Sequence, residues 1–191
     1  MSIVREIRPA VSMVVLFTIF LGIVVPGVFT GIMQEVLPTQ ANGSLISDNG
    51  HAVGSAIIGQ NFTDAKYFQP RPSALSTPYD AGTSGAANLA PTSAALMKTV
   101  AQDVAAYVKA YGPGPVPADA VTTSGSGLDP DISLANALRQ APAVATARHL
   151  PTATVVDMVQ KMTHHAFLGV IGTDHVNVLE LNLALDHLPA S

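Results

Sequence analysis

The run VTTSGSGLDPDIS, Val121 to Ser133, holds the residue types and spacing closest to chemistry. Ser124-Gly125 and Ser126-Gly127 lead into Leu128, Asp129 and Pro130, and three readings compete for them. A phosphate-cradling P-loop needs a lysine after its glycines to reach the phosphoryl oxygens, and none follows. A nucleophile elbow needs G-x-S-x-G, and position 124 is Ser where that pattern requires Gly. The third reading is a turn into a helix. Asp129 suits an N-cap, Pro130 the first helical position and Asp131 the positive helix end, while Gly125 and Gly127 supply φ freedom. Backbone amides at such a helix start can hold an anion, but Asp129 and Asp131 oppose one electrostatically. The residues therefore favour a structural turn whose surface meets a partner, with a nucleotide loop as the minority reading.

Other candidates are sparser. The six histidines show no ligand spacing: His164 and His165 are adjacent, and His51, His149, His175 and His187 are scattered. No metal is expected. With no cysteine, thiolate catalysis, disulfides and Cys-based metal sites are excluded. Arg71, between Pro70 and Pro72, is placed to clamp an anion, a carboxylate, loop carbonyls or a partner chain. A serine hydrolase using Ser124 or Ser126 remains the alternative, and it requires a histidine and an acid converging on that loop.

The elements that must position these residues begin with a membrane anchor. Only 12% of the 191 residues are charged and the mean hydropathy is +0.37, apolar for a soluble protein. Nine Lys+Arg against thirteen Asp+Glu leave no basic stripe for nucleic acid. From Ala10 to Gln34 no residue is charged, and such a helix reaches roughly 37 Å, enough to cross a hydrocarbon core of about 30 Å. That run exceeds the apolar core of a signal peptide, so it predicts an uncleaved helix over 10–34 in contact with lipid, kinked near Gly27 by Pro26. Arg5 and Arg8 precede it and Glu35 follows. The positive-inside rule leaves residues 1–9 in the cytoplasm and sends 35–191 outside. Gly22, Gly27 and Gly31 let another helix approach the anchor closely.

The remaining pattern predicts one α/β or α+β domain. Residues 36–44 read as a linker, and Asp48-Asn49-Gly50 as the turn of a hairpin. Residues 60–91 form a long Pro-, Gly- and Ser-rich loop, of the kind that carries function or contacts. Leu96, Val100, Val104 and Val108 mark a helix capped by Thr92 or Ser93 and stopped by Gly112. Helical patterns follow near 130–141, 142–149 and 155–163, the last with Thr154 and Asp157 as a capping box. The period-2 run of HVNVLELNLAL suggests a strand, with a helix as the other option.

The ordered runs GSAIIGQNFTDAKYFQPRPSA, NLAPTS, TTSGSGLDPDIS and HVNVLELNLAL, with the N-terminal anchor, resemble the C subunit of the Kdp potassium-transporting ATPase across nearly the whole chain. Members of that family more often carry Gly-Gly-Ser-Asn-Leu-Gly-Pro-Thr-Asn where Gly85 to Ser93 reads GAANLAPTS. They also tend to have His at position 131 and Arg at position 175. The resemblance implies a non-catalytic accessory subunit in the inner membrane. Its partners would be a channel-like potassium-translocating subunit and a P-type ATPase subunit. It further implies a catalytic chaperone that raises the ATP affinity of the ATPase subunit, with Ser124 to Asp129 likened to an ABC-transporter signature loop and Gln140 in support. The chain has no Asp-Lys-Thr-Gly phosphorylation run and no carbonyl filter, so energy and permeation belong to partners. No tightly bound cofactor is expected, and ATP enters through the ATPase subunit. Arg71, Asn88, Gly27 and Gly31 are the expected partner contacts.

Overall fold

The computed structural model describes residues 3–188, and the ends of the expected 1–9 and 35–191 segments lie outside them. The chain divides into two units, Met1–Leu45 and Ile46–Ser191.

The first unit is helical. α1 (Ile3–Ile19) passes through a π-helical turn (Phe20–Val24) into α2 (Val25–Val36), and a short α3 (Pro38–Ala41) occupies the expected linker. The stretch Arg5–Val36 is long and apolar enough to span a membrane, with mean hydropathy 2.5 and none of it buried. The helix thus begins before the charge-free 10–34 run. The irregularity that Pro26 was expected to cause near Gly27 is instead the π turn just upstream. Pro26 has no N–H for the carbonyl of Gly22, and the Val25 amide reaches back to Phe20 O, absorbing the mismatch one turn earlier.

The second unit is α+β, with two antiparallel two-stranded sheets and no parallel pairing among the described residues. β1 (Leu45–Asp48) and β2 (His51–Ser55) form the predicted hairpin, whose turn residues Asn49 and Gly50 sit at φ 49° and 81°. Two consecutive positive φ angles are what a tight hairpin requires, hence Asn-Gly. Residues 60–91 contain no helix or strand. α4 (Ala94–Tyr111) is capped by Ser93, whose hydroxyl accepts from the Leu96 amide, and ends at Gly112 with φ 86°.

The next segment departs from expectation. Asp131 to Ser133 form strand β3, paired with β4 (His175–Asn177) so that Ile132 faces Val176. Asp129 therefore does not cap a helix, Pro130 is not its first residue, and Asp131 does not lie at its positive end. The cap is Ser133, whose hydroxyl accepts from the Asn136 amide, and one helix α5 (Leu134–Ala147) continues through Pro142. Burial of Ala141, Val144 and Ala145 around that proline offsets the hydrogen bond it removes. α6 (Thr152–Lys161) starts after Pro151 without a side-chain cap, so the expected Thr154–Asp157 box does not form. The C-terminal run splits: three residues are strand, and α7 (Val178–Asp186) follows, capped by Asn177. The core joins Ile132 and Val176 of the sheet to Ala137, Ala141 and Val144 of α5, Val155 and Val159 of α6, and Leu181 and Leu185 of α7, with Phe68 from the long loop.

Candidate functional site

The long loop is strapped to this core by side chains in place of strand partners. The buried Asn182 carboxamide accepts from the Phe68 amide at 2.8 Å and donates to the Phe68 carbonyl at 3.0 Å. Gln140 does the same for Gln69, accepting at 2.7 Å and donating at 3.1 Å. Buried backbone groups must be paired, and two carboxamides pair four of them. Further along, the Tyr67 hydroxyl donates to Asp186 and Arg148 donates to the Lys66 carbonyl.

This registration delivers Arg71 to the Ser–Gly turn. Its guanidinium donates to Asp129 Oδ2 at 2.6 Å and to the carbonyls of Thr122 and Thr123 at 3.3 to 3.4 Å. The Tyr79 hydroxyl donates to the Arg71 carbonyl at 2.7 Å, and burial raises that phenol above its ordinary range. Ser73 donates to the Gly127 carbonyl, and the Gly85 amide to the Ser126 carbonyl.

Within the turn several polar groups are spent on each other. The Ser124 hydroxyl accepts from the Gly127 amide at 2.9 Å, and the Ser126 hydroxyl accepts from the Leu128 amide at 3.1 Å. Asp129 Oδ1 accepts from the Asp131 amide. Gly127 has the expected positive φ of 69°, and a Cβ there would lie 2.7 Å from Leu75 Cγ and 2.9 Å from Gly85 O. Gly125 needs no such freedom: its φ is not positive and nothing lies within 4 Å of a Cβ. Among the described residues no histidine bonds to either serine, so the converging base a hydrolase needs is not supplied there.

The expected site residues divide between two places. Ser124, Gly125, Ser126 and Asp129, with Arg71, line a cleft of about 530 Å³, and Gly127 does not. Gln140 lines another of about 290 Å³, with Pro70, Pro72, Asp103, Tyr107 and Tyr111. Its neighbour Asn136 accepts from the Tyr107 hydroxyl and donates to Asp119, and burial pushes the Tyr107 phenol up to about 12. Asn88 is exposed with φ 51°, and Gly27 and Gly31 have open space where a Cβ would stand. No group of three or more His, Asp or Glu able to hold a metal occurs among the described residues.

The Ser–Gly turn and the loop strapped against it belong to runs that carried the family resemblance. A family model described as KdpC, K+-transporting ATPase, c chain, matches residues 7–187. The chain belongs to the KdpC family. It is 50% identical over 182 residues to the potassium-transporting ATPase KdpC subunit of Allorhizobium ampelinum, covering 95% of each chain. It is 50% identical over 189 residues to that of Gemmatimonas aurantiaca, covering 98% of this chain and 95% of the other. The Mycobacterium bovis KdpC subunit is 49% identical over 187 residues, 96% of this chain and 99% of its own. Asp131 and His175, for which the resemblance implied His and Arg, meet in space. The His175 Nε2 lies 3.9 Å from Asp131 Oδ2, and burial raises the Asp131 carboxyl while His175 lowers it.

One feature carried no sequence expectation: a hairpin from His164 to His175 that bears four exposed apolar side chains. The signal was the glycine-punctuated run FLGVIG.

Proposed function

We propose that this chain is a non-catalytic accessory subunit of an ATP-driven potassium-uptake complex. One helix anchors it in the inner membrane, with the N-terminus cytoplasmic and the C-terminal domain outside. It assembles with a channel-like potassium-translocating subunit and a P-type ATPase subunit. Support comes from its relatives, which bear the name of a potassium-transporting ATPase subunit, and from the charge bias across Arg5, Arg8 and Glu35.

The observation that carries the accessory reading is the commitment of Arg71, the cation at the Ser–Gly turn, to Asp129. A phosphate cradle needs free amides and an uncommitted cation. Here the Gly127 and Leu128 amides already donate to serine hydroxyls, and Arg71 is neutralised by Asp129. Any rise in ATP affinity of the ATPase subunit is then an indirect consequence of assembly, and ATP binds to that subunit. Ser124 to Asp129 serve as a rigid, preorganised contact surface, with Gln140 holding the strap behind it. Asn88, Gly27 and Gly31 remain open for partner contact, whereas Arg71 acts from within.

Copurification from membranes with a tagged full chain tests this reading. Both partner subunits should be recovered, and replacing Gly27 and Gly31 with Leu should reduce their recovery while insertion persists. Recovery of the unmodified chain alone would overturn the accessory role.

A further inference from the structure

The hairpin His164 to His175 closes through paired backbone hydrogen bonds, between His164 and His175 at 2.8 and 3.1 Å and between Phe167 and Ile171 at 2.9 and 3.0 Å. At its tip Phe167, Leu168, Val170 and Ile171 are 67%, 78%, 80% and 62% exposed. No polar side chain interrupts them. Leu168 holds φ 54°, a conformation in which Gly or Asn costs less.

The tip pairs four of its five amides, leaving the Leu168 amide and the Leu168, Gly169 and Val170 carbonyls at the apex. The amides of Phe167, Gly169, Val170 and Ile171 all donate within the hairpin. A protein partner ordinarily exchanges about one hydrogen bond per 100–200 Å² of interface, and no side chain of this tip can supply one. A lipid surface asks instead for apolar side chains, and at shallow interfacial depth the apex amide and carbonyls stay within reach of water and headgroups. The polar groups gather at the base, where His165 meets Asp174 at 3.0 Å and His164 stacks on His175 with ring centroids 5.4 Å apart. That order, apolar tip above polar collar, matches the gradient from acyl chains to headgroups.

We infer that the Phe167–Ile171 tip inserts into the outer face of the bilayer as a second membrane contact of the C-terminal domain. The inference rests on the anchoring reading above, since a chain already tethered to lipid needs only a shallow second contact. The tip would then fix the orientation of the domain, and of its Ser–Gly surface, relative to the membrane.

The chain contains no tryptophan, so a single introduced one reports its own surroundings. Three variants of the full chain, Val170→Trp, Met97→Trp and Phe20→Trp, are reconstituted in phosphatidylcholine–phosphatidylglycerol vesicles with and without brominated acyl chains. Val170→Trp should emit further to the blue and lose at least about half its intensity in brominated lipid. Met97→Trp, on exposed α4, should not change, and Phe20→Trp should be quenched. Quenching at position 20 but not 170 overturns the tip contact and leaves the anchor standing. Equal quenching at 97 and 170 also overturns it, as does a blue shift at 170 that needs added partner subunits. An unquenched Phe20→Trp defeats the anchoring reading itself.

Discussion

Arg71 and Asp129, 58 positions apart, meet at 2.6 Å and fasten the long loop to the end of the Ser–Gly turn. Their side chains are only 21% and 27% exposed, so the pair is poorly screened, and the same guanidinium bonds two carbonyls of the turn. Asp129→Ala leaves that cation without its counter-ion and frees the Asp131 amide, at an expected cost of about 2 kcal/mol. Arg71→Lys keeps the charge but loses the fork, and should recover less than half of the stability lost in Arg71→Ala. Asp64→Ala, breaking an exposed pair with Lys66 and an exposed bond from the Lys66 amide, should cost less than about 1 kcal/mol. Urea denaturation of the detergent-solubilised chain ranks the four, and equal costs at positions 64 and 129 would remove the fastening role.

The two glycines of the turn should part company. Gly127→Ala forces a Cβ toward Leu75 Cγ and Gly85 O at φ 69°, and should cost at least about 1–2 kcal/mol. Gly125→Ala meets nothing and should fall within about 0.5 kcal/mol of the parent, or stabilise slightly. The same denaturation experiment decides, and comparable losses at both positions would mean the turn relaxes freely.

Local chemistry was legible and distant pairing was not. Asn49-Gly50, the Ser93 cap and the Gly127 backbone follow from residues within a few positions, so the sequence pattern identifies them. Asp129-Pro130-Asp131 satisfies every local rule for a helix start, yet β3 overrides it by pairing with residues 175–177, which no local window contains. α7 misled for another reason. Val178, Leu179, Leu181, Asn182 and Leu185 are all buried, so the helix lacks a polar face and its 3.6-residue period fades. Gln140 reads as a generic polar residue until the fold sets it against the Gln69 backbone.

Acid should loosen the collar of the apolar hairpin. The Asp174 carboxyl lies below its ordinary 3.8, first because the Ala166 amide donates to it and next through His165. A depressed folded pKa gives stability that is complete above 3.8 and is lost as pH falls through the folded value. The exchange protection factor of the Ala166 amide should hold from neutrality to about pH 4 and then drop, and Asp174→Asn should abolish that dependence. Constant protection down to about pH 2 would dissociate Asp174 from hairpin closure.

The proposed topology is directly accessible because the chain has no native cysteine to give background. Ser44→Cys and Asn61→Cys, on either side of the first hairpin, should react with a membrane-impermeant maleimide in intact cells. Reaction only after lysis would place the C-terminal domain in the cytoplasm and bring ATP within reach of the Ser–Gly turn.

Nucleotide binding is the sharpest division between an assembly surface and a signature-like loop. The turn offers no free lysine or arginine, its Gly127 and Leu128 amides are already bonded, and the adjoining cleft adds Asp119, Asp131 and Asp174 around Arg71. A triphosphate approaching it would meet carboxylates before cations, and Arg71 cannot turn outward without abandoning Asp129. Calorimetric titration of the full chain in detergent with ATP and Mg²⁺ should therefore show no affinity tighter than about millimolar. Ser124→Ala and Ser126→Ala should each free one turn amide and lower stability by about 1 kcal/mol without changing the titration. Gln140→Ala should destabilise the chain more, because it strips the Gln69 backbone of both its partners. Micromolar ATP binding that disappears in any of these variants, with their folds intact by circular dichroism, would make the turn a nucleotide loop and end the structural account of it.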